Sequence, residues 1–128
     1  MPKLIFKGTV FSGKGEGKKF VDLPWVKGQI IEKLGFSPFS GTLNLHLNEE
    51  SIKKKISLLT TEGKMIEPQT GYCSGIMFKA CMGALDCAVV VPKVPNYPRD
   101  VLEVIAPVCL REKFGLLDGN LVTVCVNA

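Results

Sequence analysis

Gly41-Thr42-Leu43-Asn44-Leu45-His46-Leu47 alternates polar and apolar side chains without a break. Successive residues of an extended strand face opposite sides of a sheet, so Leu43, Leu45 and Leu47 turn towards a core while Thr42, Asn44 and His46 share the other face. Working outward, Leu4 to Ser12 reads as a preceding strand, and Phe20 to Leu23 is expected to return beside it across a glycine-rich loop. Val26, Ile30, Ile31 and Leu34 fall on one helical face, which predicts a helix over Pro24 to Leu34 stopped by Gly35. Asn48 to Lys64 is polar and irregular, with room for one or two helical turns.

Further on, Ile76 to Met82 and Ala84 to Val91 read as strands joined tightly near Gly83, the second apolar enough to be buried on both faces. Pro92, Pro95 and Pro98 impose a loop around Asn96 and Tyr97. The short run Val101 to Ala106 is read as a strand. Pro107 suits the first turn of a short helix reaching Phe114 and ended by Gly115, and Asp118-Gly119 turns the chain into Leu121 to Val126. Six or seven short strands, two short helices and no repeating βα unit predict a mainly β protein built as a compact barrel.

A chain of 128 residues is expected to be one domain with a continuous core. Its hydrophobic fraction of 46% and charged fraction of 22% are those of a soluble globule. No apolar run approaches the roughly 20 residues of a membrane span, and no signal peptide opens the chain, so no membrane partner and a cytoplasmic location are expected. The five cysteines include no C-x-x-C pair and read as small buried apolar residues rather than zinc or redox groups. A net charge of +4 favours anions only mildly. No stripe of Lys or Arg is interleaved with aromatics, so a nucleic-acid partner is not expected, and Lys53-Lys54-Lys55 reads as a solvated face.

Ser12-Gly13-Lys14-Gly15-Glu16-Gly17-Lys18-Lys19 sets three alternate glycines among three lysines. Glycines let successive backbone N–H groups converge on an anion, so the run is either a phosphate loop or a solvated hairpin turn. It is not a Walker A loop, because Gly15 stands where Ser or Thr must hold magnesium, and no helix start follows as a dinucleotide fingerprint requires.

Thr42 and Asn44, two apart on one strand face, have α-carbons roughly 7 Å apart and can reach one hard cation, or are ordinary exposed strand residues. His46, the single histidine, reads as a surface residue or a satisfied hydrogen-bonding group rather than a base. Glu103 inside an apolar segment either points to solvent from an edge strand or is kept for a ligand hydroxyl or ring N–H. Arg111-Glu112 is most simply a solvated pair, though Arg111 near a helix start could serve an anion or a base edge. No constellation singles out a covalent nucleophile, so any catalysis rests on positioning and charge.

Several fragments together resemble the archaeal-type CTP-dependent riboflavin kinase family. They are Gly8-x-Val10-x-Ser12-Gly13-x-Gly15-Glu16-Gly17-x-x-Phe20, then Leu34-Gly35-Phe36-x-Pro38-x-x-Gly41-Thr42-Leu43-Asn44-Leu45, Val90-Val91-Pro92-Lys93, and Ile105-Ala106-Pro107-x-x-Leu110-Arg111-Glu112-x-Phe114-x-Leu116-x-Asp118-Gly119. The resemblance implies a barrel of the cradle-loop, RIFT-like kind that moves the γ-phosphoryl group of CTP to the 5′-hydroxyl of riboflavin, giving FMN and CDP. It implies that Gly13, Lys14, Gly15, Glu16, Gly17 and Lys18 hold the nucleotide phosphates and that Thr42 and Asn44 hold Mg2+. It further implies that Val108, Cys109, Leu110 and Arg111 contact the nucleotide, and that Asn96, Tyr97 and Glu103 meet the flavin, with Glu103 the nearest candidate for a base.

Pro95-Asn96-Tyr97-Pro98 departs from the Thr or Ser and His that relatives often carry there. Some relatives have an extra N-terminal DNA-binding domain; here the barrel pattern starts near Met1, and control by that route is not expected within this chain. The C-terminal helix, Asp-Gly turn and strand also resemble swapped-hairpin barrels that bind nucleic acid or a protein, which is the alternative function. A monomer is expected.

Overall fold

The alternating segment forms β2 (Leu43–Leu47), flanked by β1 (Lys3–Phe11) and β6 (Val101–Ile105). The computed structural model describes residues 3–13 and 16–127, with backbone alone for 16 and 17; Lys14 and Gly15 lie outside the described residues. In chain order the remaining elements are α1 (Glu16–Asp22), α2 (Pro24–Leu34), α3 (Glu49–Leu58), β3 (Lys64–Ile66), β4 (Gly75–Met82), β5 (Leu85–Pro92), α4 (Leu110–Phe114) and β7 (Leu121–Asn127). Strand order is β3-β4-β5-β6-β2-β1-β7, and β7 also pairs with β4 through Ala80↔Val126 and Cys81↔Cys125. That closure makes a six-stranded antiparallel barrel, with β3 an extra strand on β4.

Strand alternation sorts the core into two. Phe6, Val10, Leu45, Phe78, Val89, Leu102 and Val124 fill the barrel interior. Val21, Val26, Ile30, Met77, Ala88, Val90 and Ile105 form a second cluster, in which α1 and α2 pack on the outer face of β4, β5 and β6. β5 is buried on both faces for this reason, as its apolar run predicts, and so is β6. α2 ends where expected, with Gly35 at φ 83° donating to the Ile31 carbonyl.

Four expectations are corrected. Phe20 to Leu23 is not a returning strand: Phe20 to Asp22 close helix α1, because turning helically lets Val21 bury with Val26 and Ile30. The stretch after Asn48 is a ten-residue helix, so the described residues form four helices where two were expected. Asn48 caps it by accepting from the Ser51 N–H at 2.9 Å, and its inward face is Ser51, Lys55 and Leu58. Two of those three are polar, which hides the helical period from a reading of apolar spacing. Finally, Lys53 is solvated but Lys55 is buried, and of the cysteines only Cys87 is buried, all five being free thiols.

Candidate functional site

Side chains on the outer barrel face line up across strands through the pairings Phe11↔Asn44, Asn44↔Glu103 and Glu103↔Val90. Directly opposed residues on antiparallel strands lie about 4.5–5.5 Å apart, so this row brings four distant sequence segments into contact. Helix α1, Ser12 and Gly13, the loop after β5 and the segment around Tyr72 border it. Together they enclose a cavity of about 780 Å³ whose wall includes Ser12, Gly13, Lys18, Thr42, Asn44, Tyr72, Tyr97, Glu103 and Arg111.

Glu103 is the hub. The residue is only 8% exposed, and its carboxylate accepts from Thr42 Oγ1 at 3.0 Å on Oε1 and from the Tyr97 hydroxyl at 2.5 Å on Oε2. A buried carboxylate needs such donors. Burial first, and the Glu103 charge second, push the Tyr97 hydroxyl above its usual range, so it stays protonated and donates. Glu103 therefore does not point to solvent from an edge strand.

Thr42 Oγ1 also lies 3.4 Å from Asn44 Oδ1. Oxygens on adjacent vertices of an octahedron with 2.0–2.1 Å bonds are about 2.9 Å apart, so a small inward movement lets both hold one hard cation. Among the described residues no group of three or more His, Cys, Asp or Glu offers a denser metal site. Gly13 reaches the same place: a Cβ there would stand 2.8 Å from Asn44 Nδ2, closer than atoms allow. A side chain at position 13 would therefore displace the Asn44 amide.

Arg111 does not pair with Glu112. It donates to Asp118 Oδ1 at 2.8 Å and also reaches the Phe11 carbonyl and Ser12 Oγ, each at 3.3 Å. Ser12 in turn donates to Asp118. Hydrogen bonds from Arg111 and then Ser12 hold the Asp118 carboxyl below the usual carboxylate range. Arg111 is shared, with Thr42, by a smaller cavity of about 80 Å³, whose wall carries Val108, Cys109 and Leu110.

The residues singled out in the sequence thus converge for the most part. Gly13, Lys18, Thr42, Asn44, Tyr97, Glu103 and Arg111 meet around one cavity, and 108–111 border the adjoining one. Lys14 and Gly15 fall outside the described residues, as do the side chains of 16 and 17. Asn96 sits at the loop tip with φ 62°, exposed and off the cavity wall. His46 lies on the surface, stacked on Phe11 with ring centroids 3.8 Å apart and its Nδ1 3.6 Å from Asp100. Sequence reasoning missed Asp118 as the partner of Arg111, and it missed the aromatic group Phe20, Trp25 and Tyr72, whose rings meet edge-on at 6.1 and 5.3 Å. Isolated aromatics in polar stretches carried no spacing signal that could have joined them.

A family model named for CTP-dependent riboflavin kinase (RFKase) and described as a domain of unknown function, DUF120, matches residues 10–126. The chain belongs to this family. Among curated proteins it is 42% identical over 122 residues to the riboflavin kinase of Archaeoglobus fulgidus, covering 92% of this chain and 52% of that protein. It is 38% identical to the riboflavin kinase of Methanosarcina barkeri, covering 94% of this chain and 56% of the relative. For that of Ignicoccus hospitalis the identity is 37%, with coverage of 96% and 71%. The chain spans about half the length of the first two relatives. The RFKase match includes the whole outer-face row and both cavities.

Proposed function

We propose that the protein is a CTP-dependent riboflavin kinase that transfers the γ-phosphoryl group of CTP to the riboflavin 5′-hydroxyl, forming FMN and CDP with Mg2+. The observation that carries this reading is the row Phe11, Asn44, Glu103 and Val90, which joins Gly13, a neutral pair of oxygen donors and a hydrogen-bonded carboxylate in one cavity. Riboflavin kinases among its relatives, and its membership of the RFKase family, support the acceptor and the donor.

Phosphoryl transfer asks for in-line placement and charge neutralisation rather than a covalent nucleophile. In this reading the backbone of 13–18 and Lys18 receive the phosphates, and residues 108–111 receive the cytidine. Thr42 and Asn44 would hold Mg2+, and the ion would supply neutralisation of charge on the transferring group. Arg111, steered by Asp118, lies where the two cavities meet and faces the polyphosphate. Glu103 keeps lone pairs free beside its two donors and accepts from the flavin, orienting it. Two hydrogen bonds already on its carboxylate make it a better fixed acceptor than a base. Tyr72 and Phe20 offer ring faces for the isoalloxazine.

The test is incubation with riboflavin, Mg2+ and each of four nucleoside triphosphates in turn, scored for FMN. CTP is expected to support turnover well above the others. Equal use of ATP would sink the donor assignment, and no FMN with any donor would sink the kinase reading. Thr42→Val with Asn44→Leu is expected to keep the fold and abolish magnesium-supported turnover.

A further inference from the structure

Lys55 lies outside the site as described, on the inward face of α3, and is only 4% exposed. Its Nζ donates to the Val101 carbonyl at 2.7 Å and the Pro98 carbonyl at 3.2 Å, and stands 4.9 Å from the centre of the Tyr97 ring. Among the described residues no carboxylate lies within salt-bridge distance of it. Burying an ammonium without a counter-ion is costly, and an apolar side chain of similar volume generally serves packing as well or better. The contacts show what the charge achieves. Val101 starts β6 two residues before Glu103, Pro98 follows Tyr97 directly, and the Tyr97 ring face attracts a cation. One group thereby ties the strand that carries Glu103 to the ring whose hydroxyl donates to Glu103.

We propose that Lys55 is a positioning residue for the flavin side of the site, setting the Tyr97 ring and the start of β6 so that the Tyr97 hydroxyl and the Glu103 carboxylate meet at the cavity wall. The inference rests on the kinase reading for its substrate. Its contacts fall on Pro98, Val101 and the Tyr97 ring, which flank and face Glu103, and among the described residues none is to Gly13, Lys18 or residues 108–111. Lys55 acts on riboflavin, then, and leaves CTP alone.

Steady-state kinetics and riboflavin binding, followed by quenching of the single Trp25 beside Tyr72, test this on the intact chain. Lys55→Met is expected to raise the riboflavin KM and Kd by about tenfold and to hold the CTP KM within about twofold. Lys55→Arg, which keeps the charge and its donors, is expected to return the riboflavin Kd to within about threefold of the parent. Adding Tyr97→Phe to Lys55→Met should cost less than the two single effects combined, because both act through one contact.

A merely structural lysine would lower kcat in step with the folded fraction and leave both KM values alone; that pattern, equal loss for both substrates, or strict additivity overturns the proposal. If Lys55→Met does not fold, Lys55→Gln keeps donors and removes the cation, and an unchanged riboflavin Kd in that variant overturns it equally. Absence of FMN with every donor defeats the kinase reading alone, since the riboflavin Kd values still decide the role of Lys55. A parent chain that binds no riboflavin defeats both.

Discussion

Burial pushes the Lys55 ammonium from 10.5 down to about 8, against the opposing pull of Asp100 and Glu103. This makes folding stability depend on pH in a window that Lys55→Met should erase. Below pH 8 the group is protonated in both folded and unfolded chains and adds no slope. Between about 8 and 10.5 the unfolded chain holds the proton that the folded chain has released, so stability rises with pH. At pH 9.5 the factor (1 + 10^1.5)/(1 + 10^−1) is about 30, worth about 2 kcal/mol relative to pH 7.

Other buried groups act in the opposite direction. Burial raises the Cys87 thiol to about 12, and burial with the Glu103 charge raises Tyr97, so both lose stability as pH climbs past their unfolded values. Those terms belong equally to the parent and the variant and largely cancel in the difference. The assay is urea unfolding of the two proteins at pH 7 and pH 9.5. The stability of the parent minus that of Lys55→Met should increase by about 2 kcal/mol between the two conditions. A difference that stays constant refutes the argument: Lys55 would then titrate as a solvated amine, and its hold on Tyr97 and β6 could not be that of a buried charge.

Gly13→Ala drives a Cβ to 2.8 Å from Asn44 Nδ2, so it should raise the magnesium concentration needed for half-maximal turnover by about tenfold with little change in thermal midpoint. Gly63→Ala, by contrast, meets Ile76 Cγ1 at 2.6 Å and the Met77 carbonyl at 2.8 Å, and is expected to destabilise by about 1–3 kcal/mol in urea unfolding without selective loss of either substrate. Asp118→Asn should weaken CTP by about three- to tenfold and riboflavin hardly at all, since it frees Arg111. The depressed Asp118 carboxyl contributes stability that is present above its unfolded value of 3.8 and is lost as pH falls through its folded one, so the same variant should flatten the acid limb of an unfolding profile. An unaltered acid limb in Asp118→Asn would mean the Arg111 contact is not formed in solution.

Local period is visible in a single stretch of chain, and where period decided the structure the sequence determined it. The alternation through Leu43, Leu45 and Leu47, the doubly buried run that became β5, and the Pro24 to Leu34 helix with its glycine stop all follow from side chains within a few residues of one another. The glycine loop and the Thr42 and Asn44 pair could be named for the same reason. Tertiary packing decided the rest. Phe20 to Asp22 became helix because Val21 had a partner in Val26 and Ile30, and α3 formed around a polar inward face because a lysine there had carbonyls and a ring to meet. Strand register alone aligned Phe11, Asn44, Glu103 and Val90, and nothing in any one of those segments encodes which residue of another strand will lie opposite. Composition could suggest what these side chains can do; only the pairing of β1, β2, β6 and β5 set them side by side.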